Sequence, residues 1–554
     1  MKRSRISLIC FVCLLCLPSS LWAETTSRFL DAARDPLVID GALGAETTVA
    51  QARITGVTIP HHILAADLMA RGLRAASGGQ YDHIILIGPD HFRSLTAPFG
   101  VLTTQIDTLK GPLPQNPTAI DRLNRSPLFE DVKDAPREHG IHAITPFLKA
   151  LFPDTPVTML TTATHSRQHE WDHAVDRLMQ IATKRTLIVQ STDYSHFLPR
   201  HLTIQRDIET LGVIASNDPD LVPTLTQPAH LDSKASQYIQ MRLQQRLHGA
   251  TPVIVAHRDA HDYIPEGNPN GPTTSYIVTL YTTDPAKASH LIWPDQTRMV
   301  FGGDVFLDRG WRSALADDKL TPVLKDLTNR VGSGPFVINL EGVLLDERPA
   351  GTNPVQHFMS APLAAPVLQR MGVTAANLAN NHSHDLGTLG FAETQKSLAA
   401  AGIQSLTHGK VTELGGFALL PLTFRMGYFT DHPVIRDLAQ LDLACGAQTT
   451  LPLIVLPHWG ADYTNTAADF ERDAFEKLAA CGVAAVIGAH THNPSPAVSV
   501  HGAGRLQAVF SMGNLLFDQT GDDVSGALVE LRRFQKGTLA LRLIPVPNYF
   551  ETLK

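Results

Sequence analysis

Short apolar runs alternate with longer helical patterns along most of the chain. His83–Ile87, Thr186–Gln190, Val337–Asn339, Leu453–Leu456 and Val483–Ile487 have the aliphatic, β-branched character of buried strands. Between such runs, Ile63–Ala76, Phe391–Ala401 and Ala467–Ala480 repeat apolar residues at helical spacing. Gly78-Gly79 and Gly402 stop the first two. This alternation predicts α/β architecture, with central, parallel or mixed sheets flanked by helices. Around 284–297 the pattern breaks. Asp284-Pro285 follows the β-rich stretch Ser275–Tyr281, and Pro294-Asp295 precedes a new strand at Met299. A polar, proline-bearing stretch between two strands predicts a linker, and so two domains, 28–283 and 298–554.

Length agrees, since 554 residues exceed what one hydrophobic core usually organises. Charged residues at 18% and apolar ones at 44% exclude a disordered or fibrous chain. A net charge of -7, without a basic run beyond the N-terminus, argues against nucleic acid as the partner. The N-terminus reads as a signal peptide over 1–23. Lys2, Arg3 and Arg5 precede the apolar run Ile6–Leu17, Pro18 breaks it, and Leu21-Trp22-Ala23 resembles a cleavage site. Export to the periplasm or cell envelope is expected, with membrane contact only through this segment if it stays uncleaved. Cys10, Cys13 and Cys16 lie inside that run, so cleavage leaves Cys445 and Cys481. In an oxidising compartment these two either pair or stay as buried thiols.

In the second half, polar residues recur at strand ends. Met299–Asp304 ends in Gly-Gly-Asp, Phe336–Glu341 in Asn-Leu-Glu, and Ala375–His382 in Asn-Asn-His. Leu453–His458 ends in Pro-His before Trp459-Gly460, and Val486–His492 in His-Thr-His. Ligands of α/β sheets gather beyond the carboxyl ends of strands. Carboxylate, carboxamide and imidazole together suit Zn²⁺, Mn²⁺ or Fe, and a shared carboxylate can hold two ions about 3.5–4 Å apart.

These motifs, with Ser-Met-Gly-Asn-Leu-Leu-Phe-Asp at 511–518, resemble in order those of the poly-γ-glutamate capsule-synthesis CapA family, over about 298–530. That family is similar to the calcineurin-like metallophosphoesterases, which implies an α/β sandwich for this domain. The resemblance implies Asp304 and His492 as ligands of a first metal and Asn381, His458 and His490 of a second, with Glu341 between them. It implies His382 as the general acid. Asn380, His384, Asp385 and Asn514 are supporting candidates, and Trp459 and Tyr463 candidate pocket walls; a turn role is the plainer reading of Asn514. One departure stands out: relatives carry Asp-x-His where Asp304 is followed by Val305-Phe306. One or two ions are therefore expected.

The first half repeats the theme. Pro60-His61-His62, Gly88-Pro89-Asp90-His91, Glu138-His139-Gly140-Ile141-His142 and Ser191-Thr192-Asp193-Tyr194-Ser195-His196 follow apolar runs or precede helices. They resemble the Memo-like family, related to class III extradiol dioxygenases, over about 54–282. The resemblance implies His61 and His91 as ligands of a single metal, with Asp193, His196, Glu138 and His142 lining the same pocket. Eukaryotic members add a Cys near the end. The corresponding stretch 268–276 has none, so Asn or water is expected to substitute. His257 and His261 read as exposed strand-end histidines. The functional expectation is an exported metal-binding protein of envelope-polymer biosynthesis, with an anionic polymer or its precursor, and envelope biosynthesis proteins, as partners. The site is either a hydrolase or transferase of metallophosphoesterase type, or a non-catalytic binding or assembly site.

Overall fold

Strands Ile54–Ile59, His83–Pro89, Val157–Thr162 and Thr186–Ser191 are buried along their whole lengths, which explains their continuous apolar sequence. The computed structural model describes residues 35–44, 49–133, 138–264, 271–284, 287, 296–316, 319–353, 355–424, 438–502, 505–521, 524–534 and 537–553. The expected signal segment, Arg137, residues 268–270 and most of the expected linker lie outside them.

The first half is built on a nine-stranded mixed sheet. Its middle runs Ile54–Ile59, Thr186–Ser191, His83–Pro89, Val157–Thr162, all parallel. Pro272–Thr282 and Thr251–Asp259 add antiparallel strands at one edge. One face packs on a core with helices Ala66–Ala76 and Thr145–Leu151. The other packs on a core with helices Gln168–Met179, Arg200–Ser216 and Lys234–Leu243.

The second half holds two facing sheets. The seven-stranded one runs Gln404–Leu406, Ala375–Asn377, Phe336–Leu340, Thr297–Val305, Gly526–Arg533, Leu539–Val546, with Asn514–Leu516 against Thr297–Val305. The six-stranded one is centred on Phe417–Thr423, Leu453–His458 and Ala485–Ile487. Met299, Phe301, Leu419, Ile454, Val529 and Leu531 pack between them. Separate cores lie on the two outer faces, where Thr321–Val331, Ala361–Arg370 and Asp469–Ala480 contribute helices. This is an α/β sandwich, as the family resemblance implies.

Cys445 ends the helix Asp442–Cys445 and Cys481 follows the helix Asp469–Ala480. The two are disulfide-bonded, with Cα atoms 5.0 Å apart. Each precedes a strand of the six-stranded sheet, Leu453–His458 and Ala485–Ile487, and these strands are adjacent. Among the described residues no helix is long and apolar enough to cross a membrane.

The two halves share a packed seam. Phe534 and Ala540 of the second half lie in the core behind the first half's sheet. His257, expected at the surface, is 4% exposed there. It lies inside strand Thr251–Asp259, and its ring pairs with Asp207 at 2.7 Å and Thr538 at 2.8 Å. His261 sits in a short turn after that strand and is also partly covered. The surface reading fails because the second half covers this edge.

Candidate metal centres

Three parallel neighbours of the first sheet deliver three side chains past their carboxyl ends. His61 follows Ile54–Ile59, His91 follows His83–Pro89 and Asp193 follows Thr186–Ser191. The ring centroids of His61 and His91 are 4.8 Å apart, and His139 stacks on His91 at 3.9 Å. Donor atoms of His61, His91 and His139 lie within 4.8 Å of one another. His139, which the resemblance did not single out, supplies the third ring. It opens a short helix whose N-cap is Glu138. Glu138 accepts from the backbone NH of His91 and from Gly140, and pairs with His91 Nδ1 at 2.6 Å. It therefore orients the ring, as supporting carboxylates do for metal-bound histidines.

The Asn residues expected to replace the missing thiol lie outside the described residues, at 268 and 270. Asp232, from the loop before helix Lys234–Leu243, places its Oδ2 3.1 Å from His61 Nε2 and 3.7 Å from His91 Nε2. Its Oδ1 is buried and without a hydrogen-bond partner among the described residues. Asp193 holds the backbone NH of His61 at 3.0 Å and lies 3.5 Å from its ring. His196 is half-buried on strand His196–Pro199; burial lowers its imidazole below the ordinary value, against nearby Asp232 and Asp193, which raise it. Burial alone would depress the His91 imidazole, but Glu138 and Asp232 outweigh it and hold it up to about 10. Burial also opposes ionisation of Asp232, yet His61 and His91 hold it well below the usual carboxylate range. The pocket is a charge-matched histidine–carboxylate set, compatible with a divalent cation.

In the second half, Asp304 ends Thr297–Val305 and Glu341 follows Phe336–Leu340. Gly303 lets that strand meet its neighbour: a Cβ there would lie 1.9 Å from the Gly513 carbonyl. The close approach brings Asn514 to the site, where its Oδ1 pairs with His492 Nδ1 at 2.8 Å. Asn514 thus orients a site histidine, beyond the turn role. His492 Nδ1 also lies 3.2 Å from Asp304 Oδ2. His458 Nε2 is 2.8 Å from Asn381 Oδ1 and 3.5 Å from Glu341 Oε1. The rings of His458 and His490 are 4.6 Å apart. Three donor groups form, each within 4.8 Å and each containing Glu341: Asp304–Glu341–His492, Glu341–His458–His490 and Glu341–His357–His382.

His490 and His492 have φ of +108° and +64°. Non-glycine residues there cost about 1–3 kcal/mol each and cluster at functional sites. Burial, and then Asp304, push the Glu341 carboxyl well above its ordinary value. Burial would lower His492, but Asp304 and Glu341 raise it to about 9. Two buried carboxylates that repel each other and recruit a proton form a site whose donor set fits a cation.

Asn339 is a site residue that strand-end reasoning passed over, although it stands inside the Asn-Leu-Glu motif. Its amide donates to Asp304 Oδ1 at 2.7 Å and to Glu341 Oε1 at 3.2 Å, tying the two carboxylates together. Asn380 donates to the Leu340 carbonyl and accepts from His382 NH. Asp385 Oδ2 pairs with His382 Nδ1 at 2.9 Å. His384 stacks on Phe391, away from these groups. Trp459 does not line a pocket: it is fully buried, and its indole NH donates to the Phe510 carbonyl. Tyr463 is exposed, with its ring centroid 6.1 Å from that of His492.

Two α/β domains, each gathering histidines and carboxylates beyond its sheet, define the class of protein. Residues 39–262 match the family described as Memo-like protein, and residues 298–413 and 434–519 match Bacterial capsule synthesis protein PGA_cap. The chain joins a Memo-like domain to a PGA_cap domain. A MEMO1 family protein of Thermotoga sp. (strain RQ2) is 30% identical over 175 residues, 30% of this chain and 62% of that protein. The PGA biosynthesis protein CapA of Bacillus subtilis (strain 168) is 25% identical over 221 residues, 35% of this chain and 56% of that protein. The chain thus spans less than two thirds of either relative's length. A solved structure of a hypothetical protein from Thermus thermophilus covers 45% of this chain and 100% of its own, with 18% identity and a TM-score of 0.28.

Proposed function

We propose that the chain is an exported, metal-dependent hydrolase or transferase of envelope-polymer biosynthesis, acting through its second domain. The Glu341 carboxylate carries this reading: it is buried and common to all three donor groups. A shared carboxylate is how a protein holds two cations side by side. Asp304 and His492 would complete one seat, and Asn381, His458 and His490 the other. A divalent cation bound there lowers the pKa of a coordinated water to about 7 and polarises the bond to be broken. His382 would donate a proton to the leaving group through Nε2, with Nδ1 held by Asp385. The family and the CapA relative, named for PGA biosynthesis, support an anionic polymer or its precursor, such as a poly-γ-glutamate, as substrate. In the first domain His61, His91 and Asp232 would hold a single cation.

The test is metal analysis of the purified full chain, then assays on phosphoesters and γ-glutamyl peptides with Mn²⁺ or Zn²⁺. Turnover that His382→Ala abolishes while metal content is unchanged is the expected result. Wild-type protein that binds metal but never exceeds background favours the second reading, a binding or assembly protein. Phe306 favours that reading: it stands two residues after Asp304 as an apolar ring in place of a ligand, leaving that donor group at three.

A further inference from the structure

The motif at 511–518 ends in Asp518, a carboxylate outside the three donor groups. It holds the loop that follows strand Thr297–Val305. Asp518 accepts from Arg309 Nε at 3.1 Å, from Arg309 Nη2 at 2.5 Å and from the backbone NH of Gly310 at 3.1 Å. Position 310 has no room for a side chain: a Cβ there would lie 2.4 Å from the Phe550 ring and 3.1 Å from the Asp518 Cβ. Arg309 itself has φ of +47°, where non-glycine residues are uncommon. One carboxylate thus fixes both the loop and the guanidinium.

The guanidinium carbon lies over two phenyl rings, 4.7 Å from the Phe306 centroid and 5.7 Å from that of Phe517. Both rings touch the candidate site. Phe306 stacks on His357 at 4.3 Å, and Phe517 lies 4.8 Å from His492. The two phenylalanines are buried, whereas the Arg309 side chain is 42% exposed. Asp518 takes the Nε–Nη2 edge of the guanidinium. The end edge stays open: among the described residues Nη1 has no hydrogen-bond partner, and Nη2 keeps a second proton. Two parallel N–H groups on a pre-positioned, aromatic-backed guanidinium match the two oxygens of a carboxylate or a phosphate.

We propose that Arg309 is a specificity residue, which clamps an oxyanion of the substrate at the rim of the second-domain site. The inference rests on the anionic-polymer reading above and says how the polymer is recognised. Among the described residues no hydrogen bond or ion pair joins Arg309 to a donor residue; it meets the site through the Phe306 and Phe517 rings. The oxyanion it holds therefore belongs to a unit beside the one at the donor groups. A chain with an anion on each unit places one at Arg309 whenever its neighbour is at the centre. A single small anion cannot occupy both places.

The experiment is calorimetric titration of the full chain, with and without Mn²⁺, at fixed ionic strength. The probes are a pentamer of γ-linked glutamate and a pentamer of glycerol phosphate. Arg309→Gln removes the charge and Arg309→Lys keeps it without the fork; both retain a non-glycine residue at φ +47°, and thermal melting confirms that they fold. Arg185→Gln, at an exposed arginine of the first half, controls for non-specific attraction. Wild type is expected to bind at least one pentamer, and the one it binds tells carboxylate from phosphate. Arg309→Gln should weaken that binding about tenfold or more, the scale of a charge-assisted hydrogen bond. Arg309→Lys should lose most of the same affinity, because an ammonium presents no planar fork. Arg185→Gln should match wild type. Binding of neither pentamer, or equal affinity of wild type and Arg309→Gln, would overturn the clamp. Wild-type affinity in Arg309→Lys would overturn the fork. Arg309-dependent binding with no turnover under any condition would sink the hydrolase reading and leave the clamp standing. Turnover with a KM that Arg309→Gln does not move would do the reverse.

Discussion

At the scale of single residues, the site was legible where a ligand ends a strand and obscure where it arrives on a loop. Asp304, Glu341, His458, His490 and His492 each follow an apolar run, so the strand pattern itself points to them. Asp232 and His357 have no such signal, because only tertiary packing brings their loops to the site. Asp232 is the clearer case. Its carboxylate reaches both His61 and His91, and its second oxygen lacks a protein partner among the described residues. Two imidazoles and one carboxylate form a donor set used for iron and other divalent ions. Asp232→Ala should weaken cation binding to the first domain by about tenfold or more, the scale of losing even a supporting ligand contact. Calorimetric titration of Fe²⁺ or Mn²⁺ into chelator-stripped protein reads this directly. An unchanged affinity would mean that Asp193 or His139 completes the set instead.

At the scale of elements, apolar periodicity located strands but is silent on charged positions at the seam. Glu530 and Arg532 alternate with apolar residues on Gly526–Arg533, an alternation that half-exposed strands also show. Both are buried, with Arg298 and Arg542 on the two neighbouring strands. Glu530 pairs with Arg298 at 2.6 Å, Arg542 at 2.8 Å and Arg532 at 3.2 Å. Arg532 also donates to the Ile254 carbonyl of the first half, so the row is covered by the other domain. Burial would push the Glu530 carboxyl up, but Arg532, Arg542 and Arg298 outweigh it and hold it well below the usual range. A depressed carboxylate contributes stability above its unfolded value, about 4.3, and that stability is lost as pH falls toward the folded value. Urea melts should therefore show stability falling steadily with acidification below about pH 4. Glu530→Gln leaves buried guanidinium groups uncompensated and should cost about 3–5 kcal/mol at neutral pH. Its acid dependence should be flatter. A variant as stable as wild type at pH 7 would mean that these arginines are neutralised by other groups.

At the scale of the whole molecule, the two domains are joined by more than the chain between them. Helix Arg200–Ser216 of the first half carries Asp207, which accepts from Ser195 and Ser275, each at 2.7 Å, and pairs with His257. The other side of the His257 ring meets Thr538, and Phe534 lies edge-on to it with centroids 6.0 Å apart. The sequence shows a break in pattern near 284–297, and that break says nothing about whether the domains touch. This polar chain crosses the seam with both ring nitrogens engaged, so a free energy stored in one half is felt by the other. Ser195 is also adjacent to His196, which ties the seam to the pocket of the first domain. Intact protein should unfold in a single calorimetric transition. Asp207→Ala strips the partner from a buried histidine and two hydroxyls, at a cost on the order of 3 kcal/mol. The loss falls on the first half, so its melting should move below that of the second and split the transition in two. Thr538→Val removes one hydrogen bond across the seam and leaves the Phe534 and Arg532 contacts in place. It should cost about 1 kcal/mol and reduce the coupling without altering either domain's own core. Two transitions already separate in wild type, unmoved relative to each other by Thr538→Val, would show that the domains fold independently despite the contact.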